Sequence, residues 1–150
     1  MDALATLVAI EQIKRLKARY LRLMDTNDWE SFRDIFTEDA VFDVGGALEE
    51  SPDEAARGEP IVGRSAIVDY VSSGIDPLTS AHHGHMPEID VLTSDEATGI
   101  WALADILRAP PGAPFVQFRG YGHYHERYRY VEGAWRIAAL RITRLMVETR

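Results

Sequence analysis

The chain has 150 residues, enough for a hydrophobic core of its own, and we expect a single domain over residues 1–150. The net charge of -8 argues against nucleic acid and anionic membranes as partners, because both carry negative charges that repel an acidic protein. The chain contains no cysteine, which excludes disulfides, zinc–thiolate sites and thiol nucleophiles. The N-terminus lacks a basic leader and no apolar run is long enough to cross a bilayer, so we expect a cytoplasmic protein.

Apolar residues recur at helical spacing through the first part of the chain. Behind Asp2, a candidate N-cap, they predict an amphipathic helix of about six turns, with Lys17 among the charged residues of its polar faces. The same spacing predicts a short second helix over residues 29–36 and a third over residues 65–72. Between these two helices, residues 40–44 are predicted as a first strand.

Residues 45–60 hold five acidic side chains among glycines and prolines, a composition too polar for a core. We interpret this segment as a solvated insertion, with a lid over a site as the alternative.

From residue 89 onward the apolar period changes to two, which predicts strands over residues 89–91, 97–108, 115–130 and 134–147. Residues 131–133 are typical of a tight hairpin turn. Helices followed by an antiparallel meander indicate an α+β fold. Gly99, Gly120 and Gly122 mark places where bulges or kinks would let these long strands curl around a pocket.

The five histidines fall in two groups: His82, His83 and His85, then His123 and His125. Because histidine gives and takes protons near neutral pH, the first group predicts acid–base chemistry. A metal site is the rival interpretation, since both groups could face each other from neighbouring strands. We expect no metal, because no carboxylate stands at a recognisable ligand spacing, and we expect the second group to face solvent or a subunit interface.

Three regions carry a resemblance to a known family: residues 20–36, residues 82–89, and residues 120–144 with Gly-Tyr-Gly-His-Tyr-His-Glu and Glu-Gly-Ala-Trp-Arg-Ile. Here, and in the order of its helices and strands, the chain resembles the SnoaL-like proteins of the nuclear transport factor 2-like superfamily. The resemblance implies a cone-shaped α+β barrel, with about three N-terminal helices packed on a strongly curved, mostly antiparallel sheet. The superfamily includes cyclases, isomerases, dehydratases, dehydrochlorinases and non-catalytic proteins, so the fold alone does not fix a reaction.

Similarity to the scytalone dehydratase, bile-acid 7α-dehydratase and hexachlorocyclohexane dehydrochlorinase group implies the catalytic residues. Asp25 would orient His82, the general acid and base, while Tyr20 would donate to a substrate oxygen and Arg144 on the last strand would assist. Tyr20 and Asp25 are separated by a rotation of about 140° on a regular helix, so they converge only if the helix ends or bends near Asp25. Arg141 is the alternative to Arg144.

The strand register leaves another choice open. A bulge would bring His83 or His85 inward in place of His82, because neighbouring strand residues point to opposite faces. Met86 occupies a position that is usually polar in the family. Asp105 is interpreted as half of an ion pair with an arginine of the last strand, with a second pocket acid as the alternative. The residues expected to line a substrate pocket are His83, Trp29, Phe42, Trp101 and Tyr124.

The predicted function is that of a cofactor-free lyase or isomerase, with dehydratase-like acid–base chemistry on a small, hydrophobic, cyclic substrate. A non-catalytic module that binds such a ligand is the alternative, because a binder can keep the same polar residues to orient its ligand. The resemblance also implies a homo-oligomer, a dimer or trimer that packs through the outer face of the sheet.

Overall fold

The computed structural model describes residues 1–47 and 58–150. Its elements are α1 (Ala3–Asp25), α2 (Trp29–Arg33), β1 (Phe36–Asp43), β2 (Ile61–Val62), α3 (Arg64–Ile75), β3 (Thr79–Val91), β4 (Glu96–Arg108), β5 (Gln117–Val131) and β6 (Ala134–Thr149). The six described strands form one mixed sheet in the order β2-β1-β6-β5-β4-β3, in which β1 runs parallel to β6 and the other pairings are antiparallel. This confirms the α+β class predicted from the sequence.

Helix α1 begins as predicted, because the Asp2 side chain accepts a hydrogen bond of 2.8 Å from the N–H of Ala5. Its apolar stripe is buried from Ala9 onward, whereas Leu4 and Leu7 are exposed. The placement of Lys17 on a polar face is wrong, since this side chain is fully buried. Among the described residues, no helix combines the length and the apolar character needed to cross a membrane.

The sheet packs one face against α1, and we call this the inward face. Tyr20 of α1 lies in an aromatic cluster at this interface, with ring centroids 5.3 to 6.2 Å from those of its three neighbours. These neighbours are Phe32, Phe36 and Tyr124. Edge and tilted ring contacts at such distances are the favoured geometries for aromatic packing.

Strand β3 begins at Thr79, ten residues before the predicted start at residue 89. The register with β4 shifts between His85 and Glu88, and Met86 in this bulge has a positive φ of 34°. The extra residue moves the inward positions from even-numbered residues before the bulge to odd-numbered residues after it. The alternation is therefore interrupted in the middle of the strand, and its polar first half does not show the expected pattern.

Two other boundaries also differ from the sequence prediction. Helix α2 ends at Arg33, and Phe36 already pairs with Ile137 of β6. The apolar spacing of residues 29–36 fits a helix, but the pairing with β6 overrides it. The short strand β2, which pairs with β1, was not predicted.

The last two strands form the predicted hairpin. Glu132 and Gly133 both have positive φ angles, 52° and 79°, as the favoured two-residue turn requires. The register of β5 with β6 shifts at Gly122, which agrees with the predicted bulge. No shift occurs at Gly99 between β4 and β5; there the missing side chain makes room for Tyr128, whose ring would lie 2.9 Å from an added Cβ.

The bulge at Gly122 predicts a large cost for the smallest substitution. A Cβ at this position would lie 1.8 Å from the carbonyl oxygen of Thr143, a backbone atom that cannot rotate away. We expect Gly122→Ala to lower the free energy of unfolding by about 3 kcal/mol, measured by urea denaturation. Gly74→Ala is the matched control: a Cβ on this glycine of α3 meets nothing within 4 Å, so a gain of about 0.5–1 kcal/mol is expected. Equal effects of the two substitutions would contradict this account.

Candidate active site

Asp25 and His82 are hydrogen-bonded to each other where α1 meets β3. His82 Nδ1 lies 2.6 Å from Asp25 Oδ1, and the backbone N–H of His82 donates to Asp25 Oδ2 at 2.8 Å. Ser80, two residues earlier on the strand, donates its hydroxyl to Oδ1 at 2.8 Å. Only 7% of the His82 side chain and 22% of the Asp25 side chain are exposed. The carboxylate is therefore held by three donors of one strand.

These contacts determine the charge of Asp25. Burial alone would raise its pKa, but the hydrogen bonds from His82 and Ser80 together lower the pKa below its ordinary value of 3.8. An ionised carboxylate only accepts hydrogen bonds, so Nδ1 of His82 carries the hydrogen of the shared contact. In a neutral ring this leaves Nε2 as a base, and Nε2 makes no hydrogen bond to a described residue.

The corner between α1 and α2 fixes the position of Asp25. Helix α1 ends at this residue, and Asn27 follows in the left-handed region with φ of 57°. The side chains of Asn27 and Trp29 both donate to one carboxylate oxygen of Asp76, at 2.8 and 2.7 Å. Asp76 is the C-cap of α3, so the corner is tied to a second helix. Trp29, predicted to line a pocket, thus has its indole N–H engaged in this corner.

Tyr20 is buried five residues before Asp25 in the sequence. Burial raises the pKa of its hydroxyl well above 10, and the carboxylates of Glu126, Asp105 and Asp25 add to the shift. The phenol is therefore neutral at physiological pH, and its hydroxyl has no hydrogen-bond partner among the described residues. It keeps a proton that it can donate.

A buried polar cluster that the sequence analysis did not identify lies beside Tyr20. The ammonium of Lys17 binds the Glu126 carboxylate and sits 3.9 Å and 3.3 Å from the ring centroids of Tyr20 and Tyr124. Burial lowers the pKa of Lys17, and Glu126 opposes that shift. Tyr128 donates to the second oxygen of Glu126, which completes the pairing of this acid. The sequence did contain an indication of this cluster. Glu126 lies at the same alternating positions of the strand as Tyr124 and Tyr128, and a buried acid requires a partner.

Arg144 and Asp105 form the second buried ion pair of the inward face. Arg144 Nη2 donates to Asp105 Oδ2 at 2.8 Å, and Nε donates to the carbonyl oxygen of Ala47 at 2.7 Å. This agrees with the ion-pair interpretation of Asp105, and the arginine that pairs with it is Arg144 rather than Arg141. Ala47 belongs to the acidic segment over residues 45–60. Residues 48–57 of that segment lie outside the described part of the chain, so its two interpretations stay predictions.

His83 does not join this site. Its side chain is exposed, its ring stacks 6.1 Å from that of His85, and its neighbour His82 occupies the opposite face. The expectation that His83 lines the pocket is corrected by this placement, because the bulge of β3 falls after His85 and leaves the register at residue 82 unchanged. His123 and His125 also alternate with buried residues, on the outward face. Within residues 1–47 and 58–150, no group of three or more His, Asp or Glu side chains is placed to hold a metal ion.

The other expected pocket residues occupy different parts of the core. Trp101 donates its indole N–H to Tyr128 at 2.9 Å and lies on the inward face with Tyr124, its register partner. Phe42 is buried in β1 against Tyr70 of α3. A groove of about 530 Å³ lies elsewhere, between α1 and the start of β6, and is lined by none of these residues. The convergence of ionisable groups therefore defines the candidate site, rather than the volume of a cavity.

Comparison with known proteins agrees with this architecture. The chain matches the SnoaL-like domain over residues 5–141, and it belongs to that family. It is 29% identical over 138 residues to "Probable cyclase FGR4" of Gibberella zeae, covering 89% of each chain.

Two solved structures show the same fold. A "putative scytalone dehydratase" from Novosphingobium aromaticivorans superposes with a TM-score of 0.80 at 22% identity, covering 97% of this chain and 90% of the other. Hexachlorocyclohexane dehydrochlorinase LinA-type3 from Novosphingobium barchaimii superposes with a TM-score of 0.78 at 15% identity, covering 99% and 94%. At these identities the likeness shows the fold alone: the cone-shaped fold of the nuclear transport factor 2-like superfamily.

The lowered pKa of Asp25 predicts a pH-dependent contribution to stability. A carboxyl group whose pKa is lower in the folded than in the unfolded state stabilises the protein at every pH above its unfolded-state pKa. This stabilisation is lost as the pH falls through the folded-state pKa of the group. We expect wild type to exceed Asp25→Asn in free energy of unfolding at neutral pH, with a difference that shrinks below about pH 4. Urea denaturation in steps from neutral pH to about pH 3 measures the difference. A difference that is constant over this range would contradict the assignment.

Proposed function

We propose that the protein is a cofactor-free lyase or isomerase that acts by general acid–base catalysis on a small, hydrophobic, cyclic substrate. The observation that carries the proposal is the contact of His82 Nδ1 with the ionised Asp25, which leaves Nε2 without a hydrogen bond to a described residue. This is the arrangement expected of an imidazole that shuttles a proton, with one nitrogen held and the other available.

The proposed steps follow from these groups. Nε2 of His82 removes a proton from a carbon next to an activated position, and the ring becomes an imidazolium whose charge Asp25 stabilises. The neutral Tyr20 hydroxyl donates a hydrogen bond to the substrate oxygen that gains negative charge. The imidazolium then returns the proton, to a departing hydroxyl in a dehydration or to another carbon in an isomerisation.

The surroundings of the pair support an apolar ring as substrate. Tyr20, Tyr124 and Trp101 present buried aromatic surface on the inward face near Asp105 and Arg144. Such aromatic surface favours flat or cyclic apolar molecules, and a few polar groups orient them. The relatives named as cyclase, dehydratase and dehydrochlorinase also support a reaction at a carbon centre.

Substitution of the proposed catalytic pair, Asp25 and His82, tests the proposal. We expect His82→Ala and Asp25→Asn to lower kcat/KM for an identified substrate by about 10²–10⁴-fold, the usual contribution of general acid–base catalysis. Turnover is screened with cyclic alcohols and ketones by mass spectrometry, which detects loss of water or a changed isomer. Circular dichroism establishes that each variant remains folded under the assay conditions.

His85→Ala is the matched control for His82→Ala, because it removes an imidazole from the same strand but from the exposed, outward face. Its kcat/KM should equal that of wild type. Full turnover by His82→Ala would refute the assignment. Compounds that bind and are always recovered unchanged would instead favour the ligand-binding alternative.

The hydroxyl of Tyr20 can be tested without disturbing its ring. Tyr20→Phe keeps the contacts with Phe32, Phe36 and Tyr124, and it removes only the donor. We expect kcat to fall by about 10²-fold, as for loss of one donor to a developing oxyanion, while KM changes little. A rise in KM at constant kcat would show that Tyr20 only binds the substrate.

A further inference from the structure

The Asp105 carboxylate is only half satisfied. Its side chain is 2% exposed, and Oδ2 accepts a hydrogen bond from Arg144 at 2.8 Å. The other oxygen, Oδ1, is buried and has no hydrogen-bond partner among the described residues. Buried polar atoms are nearly always hydrogen-bonded in folded proteins, so an orphaned carboxylate oxygen requires an explanation. A carboxylate oxygen can only accept, and the missing partner is therefore a donor.

Asp105 stands directly beside the proposed catalytic histidine. It is the register partner of His82 in the antiparallel pairing of β3 with β4, which places their Cβ atoms about 5 Å apart on one face of the sheet. Its negative charge also acts on a tyrosine of the inward face. Burial is the largest cause of the raised pKa of Tyr124, and the charge of Asp105 is the second largest. The unused oxygen therefore belongs to the same region as the groups of the proposed reaction.

The neighbouring carboxylate provides a direct comparison. Glu126 is equally buried on the inward face, and both of its oxygens are occupied, one by Lys17 and the other by Tyr128. The described residues therefore supply hydrogen-bond partners for both oxygens of Glu126 but for only one oxygen of Asp105. Since Asp105 is already paired with the Arg144 cation, a neutral donor completes it without adding an unbalanced charge.

We propose that Asp105 is a substrate-binding residue whose Oδ1 accepts a hydrogen bond from a hydroxyl group of the substrate. The inference rests on the proposed function and narrows it: the substrate is a hydroxylated ring compound, with the hydroxyl close to the carbon on which His82 acts. Arg144 then has a positioning role, because it holds the carboxylate by its other oxygen.

A pair of probe compounds that differ in one donor hydrogen tests the inference. 2-Naphthol and 2-methoxynaphthalene have the same aromatic rings, and only the first can donate to a carboxylate. Their dissociation constants are measured by fluorescence titration of wild type, Asp105→Asn and Glu126→Gln. We expect wild type to bind the naphthol about tenfold more tightly than the ether, because a hydrogen bond to a charged acceptor is stronger than one to a neutral group.

The ratio of the two constants separates recognition from structure. In Asp105→Asn we expect it to fall to about threefold or less, while Glu126→Gln keeps the wild-type ratio. If Asp105 had only a structural role, its substitution would weaken the binding of both compounds by the same factor. If Asp105→Asn does not fold, the double variant Asp105→Leu with Arg144→Met, in which apolar groups replace the ion pair, is used for the same measurement.

The possible results distinguish failure of this inference from failure of the proposed function. A wild-type ratio near one, or a ratio that survives the loss of the Asp105 carboxylate, overturns the inference and leaves the proposed reaction intact. Failure of wild type to bind either compound overturns the apolar site of the proposed function, and the inference with it.

Discussion

Charges on the inward face of the sheet must be paired, and the fold depends on how this is done. Lys17 joins α1 to Glu126 of β5, and Arg144 joins β6 to Asp105 of β4. The Asp25 carboxylate joins the end of α1 to β3. Removing one partner of a buried pair typically costs about 3–5 kcal/mol, a large part of the total stability of about 5–15 kcal/mol of an ordinary domain. The groups of the candidate site are thus held by contacts that also hold the helix on the sheet.

Most helices and strands were predicted correctly from the sequence where the apolar spacing continued without interruption along the element. The cap at Asp2, the hairpin at Glu132 and Gly133 and the strands β4 to β6 follow from local spacing. Strand β3 did not, because a bulge at Met86 reverses the inward parity halfway along it. Its first half carries His82, so the apolar periodicity did not place the candidate base; the grouping of the histidines and the resemblance to a family did.

Side-chain pairings over long sequence separations were predicted unevenly: the ion pair of Asp105 with an arginine of the last strand was expected, whereas that of Lys17 with Glu126 was not. Lys17 lies 109 residues from Glu126, and helical spacing alone placed it on a polar face. Arg144 reaches Asp105 across β5, where Gly120 lies between them; a Cβ there would come within 2.6 Å of Arg144 Nη1. A glycine in a strand indicates a bulge, a bend or a close approach, and the sequence does not say which applies. Here Gly122 is a bulge and Gly120 is a close approach.

The inward carboxylates differ in how completely the protein satisfies them, and this difference separates structure from chemistry. Glu126 has both oxygens occupied by side chains of the core, so its role is to balance Lys17. Asp25 has both oxygens occupied by β3, which fixes the orientation of the His82 ring and directs its second nitrogen away from the carboxylate. Asp105 alone among these three keeps an oxygen without a partner in the described residues. The open oxygen of Asp105 lies beside His82, and it is there that the proposed substrate hydroxyl would complete the site.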